Sequence, residues 1–156
     1  MKKVIYFFLV ALCLVASGLA FGQTNPTDEK EALRLTIQTE RKALVDKNMG
    51  LTEEEGKGFW PLYEEYQKEL AKLNKRKLDF IESFAKDYEK MTDEKAKVLM
   101  DEWMDIQKDA LQVKSSYIGK FGRVLPMKKV ARYFQIENKL EAVVDYELAG
   151  RIPLMK

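Results

Sequence analysis

The chain has no histidine and a single cysteine, Cys13. Cys13 lies inside an apolar N-terminal stretch, so the rest of the chain has neither residue. That excludes disulfides, thiol nucleophiles and every histidine-dependent acid-base or nucleophilic arrangement. It also excludes ordinary zinc and copper sites, which draw on Cys or His ligands. Glycine (8 residues) and proline (4) are scarce in 156 residues, and no Gly-rich phosphate loop, nucleophile elbow or low-complexity tract is present. An excess of one charge is missing too. The chain has 27 Lys+Arg and 25 Asp+Glu, and setting aside Lys2 and Lys3 leaves 25 of each. A neutral domain of this kind is not a bulk nucleic-acid binder.

What is present begins with an export signal. Met1, Lys2 and Lys3 form a positive start, Val4 through Val15 an apolar run, and Ala16, Ser17, Gly18 and Ala20 a small-residue region. Residues 1–22 read as a signal peptide, cut after Ala20 or Gly22, which places the mature protein in the periplasm. The other reading is an uncleaved anchor, since Val4 to Phe21 is just long enough to span a bilayer. Membrane contact is expected through this segment alone. Leu12 before Cys13 is too large for a lipoprotein signal.

Residues 23–156 read as one all-helical domain. Asp28 to about Lys47 is expected as a first helix, although Leu33, Leu35 and Ile37 alternate as in a strand. Gly50 suits a left-handed cap. Thr52 and Glu55 form a capping box for a second helix, Glu53 to about Glu89. Its apolar seam is Phe59, Tyr63, Tyr66, Leu70, Leu73, Phe80, Phe84, Tyr88 and Met91, with Lys77 at the one polar position. Pro61 should kink this helix, or else mark its true start at Trp60 or Pro61. Thr92 opens a third helix to about Phe121, with seam residues Ala96, Leu99, Trp103, Ile106, Ala110, Val113, Tyr117 and Phe121. Gly122 breaks it, and Pro126 fits the first turn of a fourth helix that runs to about Leu148. The short connection at Met91 predicts an antiparallel helical hairpin, about 53–121, with flanking helices. An elongated, dimeric all-α protein follows from long helices in so short a chain.

No catalytic constellation is visible. The carboxylate runs Glu53-Glu54-Glu55 and Glu64-Glu65 suit helix starts better than acid-base chemistry. Met91, Met100, Met104 and Met127 could form a soft copper(I) site, but methionines at helical spacing more often fill seams or make adaptable surface. No enzyme activity, cofactor, metal or small-molecule substrate is expected.

Two segments are candidates for partner binding. One is Lys120 to Arg132, where Lys120, Arg123, Lys128, Lys129 and Arg132 lie beside Phe121, Tyr133 and Phe134 with no acid until Glu137. Such a stretch can attract an acidic or amphipathic partner. The plainer reading is capping plus ion pairs with acids of the second helix. The other is the aromatic group Phe59, Trp60, Tyr63 and Tyr66, either packed in a core or exposed as a shelf for unfolded chains.

The openings Leu51-Thr52-Glu53-Glu54-Glu55 and Met91-Thr92-Asp93-Glu94-Lys95 resemble the Leu-Thr-x-x-Gln motifs of the Spy/CpxP family of periplasmic chaperones and stress-signalling proteins. Glu55 and Lys95 stand where that family has Gln, and Met91 where it has Leu. The resemblance spans about Leu51 to Leu148. It implies a cradle-shaped antiparallel homodimer that holds unfolded clients without ATP, or that docks to an envelope sensor kinase. Related metal-resistance sensors bind metal through His and Met, a branch that a chain without His does not support. Two functions follow: a holdase for unfolded or envelope proteins, or a dedicated accessory or regulatory module of one envelope protein.

Overall fold

A computed structural model of the chain describes residues 26–150 and 152–155, with side chains from Leu35 onward. The export segment expected over 1–22, with Cys13, lies outside them. Among the described residues the protein is all-helical, with four α-helices and no strand. None of these helices is long and apolar enough to cross a membrane. The chain forms two compact units that part between Asn48 and Met49.

The first unit contains nearly all of α1 (Pro26–Met49). The strand-like alternation at Leu35 and Ile37 yields to the helix-forming Glu, Lys, Arg and Ala around it. Near its end Asn48 Nδ2 donates to the Leu44 carbonyl at 2.7 Å. Gly50 follows with φ of 56°, the left-handed conformation that glycine adopts without steric penalty.

The second unit is built from α2 (Glu53–Asp87), α3 (Asp93–Phe121) and α4 (Met127–Ala149). Both legs of the α2 capping box are formed. Glu55 N donates to Thr52 Oγ1 at 3.2 Å, and Thr52 N donates to Glu55 Oε2 at 2.8 Å. The box starts α2 at Glu53, so the helix runs through Pro61 rather than beginning there. Pro61 and Lys57 are both exposed, on the solvent side of the helix where a carbonyl without a helical donor costs least. A 3₁₀ turn, Tyr88–Lys90, closes α2. Thr92 caps α3 by accepting from Lys95 N at 3.3 Å. Lys95 cannot return the second leg of a box, and instead its ammonium pairs with Asp87 across the turn.

Contacts between α2 and α3 pair ascending with descending numbers: Phe59 with Phe121, Tyr66 with Tyr117, Arg76 with Asp109, and Phe80 with Trp103. The first half of α4 packs on the early part of α2 and the end of α3. Phe121 and Tyr133 lie 4.9 Å apart between ring centroids, Phe59 and Tyr133 5.1 Å, and Tyr66 and Phe134 5.7 Å. These edge-to-face rings are buried together in the core. The turn before α4 closes against them: a Cβ on Gly58 would stand 3.0 Å from Val124 Cβ, so a larger residue there would have to push Val124 aside by a few tenths of an ångström. Farther along α4, Glu137, Glu141 and Asp145 recur every four residues on one face. Gln67 Nε2 lies 3.4 Å from both Glu137 Oε1 and the Tyr133 hydroxyl. Glu141 meets Lys114 at 3.2 Å and Lys77 at 3.8 Å, and Asp145 meets Lys77 at 3.9 Å. Lys77, the polar interruption in the α2 seam, is thus a tie to α4, with its side chain 17% exposed.

Candidate interaction surface

The basic stretch from Lys120 to Arg132 folds around the turn between α3 and α4. Phe121 and Phe134 are buried in the aromatic core, as is Tyr133. Burial, and then the nearby Glu137 carboxylate, push the Tyr133 hydroxyl far above the ordinary tyrosine range, so it stays protonated. The cations are divided among different tasks. Lys129 donates to Glu55 Oε2 and to the Gly50 carbonyl, the latter at 3.1 Å. This Lys129 bond, together with the Thr52 amide, holds the Glu55 carboxyl below its usual range. Lys120 lies 4.2 Å above the Tyr117 ring and 3.7 Å from Glu65. Arg132 is exposed and has an interaction of its own. Arg123 and Lys128 are exposed and form no ion pair among the described residues. The aromatics of this basic stretch are thus core, and Lys120 and Lys129 at least are tied to acids of α2.

The aromatic group on α2 also divides. Phe59, Tyr63 and Tyr66 are buried and Trp60 is partly covered. Tyr63 and Tyr66 each lie 6.1 Å from Tyr133 between ring centroids. Of the two readings of this group, core packing is the one realised, and no exposed shelf forms there.

Exposed apolar residues occur on every helix, Tyr146 and Val144 on α4 among them, but α3 carries an aligned stripe of them. Met100, Met104 and Leu111 are 55%, 61% and 69% exposed, and Ile118 is exposed as well. At 100° per residue these four fall within about 40° of one another, one stripe along the helix. Leu99, Ile106, Tyr117 and Phe121 form the buried stripe, roughly 110° away. Near Met100 the stripe adjoins an open groove of about 780 Å³. Phe80, Phe84, Leu99, Trp103 and Leu148 are among its walls, with Lys77 and Asp145 also at its border. Phe80 and Trp103 stack at 5.6 Å with their planes 34° apart. Trp103 remains more than a third exposed, so the seam expected to be closed at this level opens into a cleft.

The sequence carried a signal for this surface. Apolar residues at 100, 104, 111 and 118 add a second stripe to a helix whose seam is already complete. Met91, partly covered, and Met127, exposed, lie off that stripe, so the four methionines considered for copper(I) are divided. Among the described residues no group of three or more His, Cys, Asp and Glu is placed to hold a metal. Compared with protein-family models, curated proteins and solved structures, the chain matches none.

Proposed function

We propose that this is an exported, non-enzymatic holding protein that binds apolar segments of unfolded or envelope proteins without ATP. One observation supports the reading above the others: the exposed Met100–Met104–Leu111 stripe joined to the groove of Phe80 and Trp103. Large exposed apolar patches on small proteins mark interaction sites. Unbranched methionines adapt to many apolar shapes, which suits a site without one fixed guest. In this proposal Arg123 and Lys128 steer acidic clients at long range, and α3 holds them by burial. The N-terminal signal, as read from sequence, places the protein in the periplasm. The order of the α2–α3 contacts supports an antiparallel hairpin, and we extend that to an elongated dimer.

Residues 23–156, intact or with Met100, Met104 and Leu111 all changed to Gln, should be mixed with two unrelated proteins during their thermal aggregation. The intact chain should suppress both aggregations, and the triple variant should lose most of that effect while keeping its helical circular dichroism. Suppression of neither client overturns the reading. In that case, retention of one single protein from an envelope extract would support the dedicated-module alternative.

A further inference from the structure

The groove has a neighbour within its own chain. α4 ends at Gly150, where Gly150 N still donates to the Tyr146 carbonyl at 3.2 Å and Ile152 N to the Leu148 carbonyl at 3.2 Å. The chain then runs along the groove, with Ile152, Pro153, Leu154 and Met155 forming part of its border. Pro153 cannot continue a helix and holds the tail irregular. Tyr88, in the 3₁₀ turn at the far end of α2, donates its hydroxyl to the Leu154 carbonyl at 3.0 Å, across 66 residues of sequence. That bond is made to the backbone, which any peptide offers. The tail's own apolar side chains are only partly used: Ile152 is partly covered, Met155 is 45% exposed and Leu154 89%. Beyond Ile152 the tail is held by the Tyr88 bond, with Leu154 uncovered and its other apolar groups only partly buried, so it is a weak occupant beside an open apolar cleft. The cleft's two charges, Lys77 and Asp145, face each other at 3.9 Å, so it presents no net charge and favours an uncharged apolar guest.

We propose that the C-terminal tail, Ile152–Met155, is a strap that competes in cis for the groove with its guest, an extended apolar peptide segment. The guest takes the place of Leu154 at the Tyr88 hydroxyl and lays its side chains against Phe80 and Trp103. Holding capacity is then set partly by how readily the tail yields. This rests on the holding function proposed above and adds its regulation.

The test uses a fluorescently labelled synthetic peptide of residues 151–156, titrated by anisotropy into the mature chain and into a chain shortened after Gly150. The shortened chain should bind the peptide at least three-fold more tightly than the intact one, because no tail competes. Tyr88→Phe in the shortened chain should weaken that binding several-fold, through loss of the backbone bond. Should shortening disturb folding, Ile152→Asp with Met155→Asp in the intact chain removes the tail's partly covered side chains from the groove, loosens the strap and should produce the same rise. Equal affinity for intact and loosened chains overturns the strap, and so does no detectable binding by either. Aggregation suppression read in parallel separates the two claims. Suppression by intact and shortened chains alike, with equal peptide affinity, removes the strap and leaves the holding function. Tighter peptide binding by the shortened chain without suppression by either does the reverse.

Discussion

Lys129, in the first turn of α4, donates to Glu55, the residue that completes the capping box of α2. The same carboxylate oxygen accepts the Thr52 amide at 2.8 Å. One acid thus satisfies an otherwise orphaned helix-start donor and joins two helices 74 residues apart in sequence. A lysine expected to face a partner is spent inside the fold.

Reversing these charges singly should therefore divide the basic stretch. Lys129→Glu places a second carboxylate against Glu55 and should lower the melting temperature. Lys128→Glu, at an exposed position without an ion pair, should leave it nearly unchanged. Thr52→Ala keeps the amide that Glu55 accepts but removes the hydroxyl that accepts from Glu55 N, and should cost about 1 kcal/mol. For a domain of this size that is a fall of roughly 4 °C, measurable by thermal circular dichroism.

The pairing sets a pH dependence. Glu55 titrates below 4.5 in the folded protein, through Lys129 first and the Thr52 amide second. Asp87 titrates below 3.8, held down by Lys95. A folded value below the unfolded one means that the stabilisation is present above the unfolded pKa and is lost as pH falls through the folded pKa. Melting temperature should fall as pH drops below about 4.5, and less steeply in Glu55→Gln. Carboxyl NMR titration of Glu55 checks the assignment directly.

The aromatic core and the α3 stripe should respond in opposite ways. Phe121→Ala empties a fully buried ring position and should cost about 3–5 kcal/mol. Met104→Ala and Leu111→Ala on the exposed stripe should each change stability by no more than about 0.5 kcal/mol, while reducing client holding. Chemical denaturation and an aggregation assay on the same preparations separate the two.

Lys77 is a further test of the α2–α4 contact. Lys77→Leu gives up two long ion pairs worth little at a partly exposed site and gains apolar burial beside Phe80, so it should be tolerated within about 1 kcal/mol. Lys77→Glu brings a third carboxylate to Glu141 and Asp145 and should destabilise clearly. Leu73→Asp, in the buried seam, should be the most damaging of these three.

By itself the sequence determined the all-helical class and most helix ends, because those are local matters. Thr52 and Glu55 make their box within one turn, Thr92 caps α3, and Gly50 turns left-handed without help from distant residues. The seam residues of α2 were legible from their three- and four-residue steps down to Phe84. Only the tertiary structure decided which apolar residues are covered. Phe121, Tyr133 and Phe134 are core because α4 returns onto the end of α3, whereas Trp103 opens into a groove because α4 gives way to the tail near its level. Periodicity shows which side of a helix is apolar but not how many neighbours that side receives. The charges obey the same limit: Lys129 and Lys128 are equal in sequence, and only the position of Glu55 across the fold makes one structural and leaves the other free for solvent.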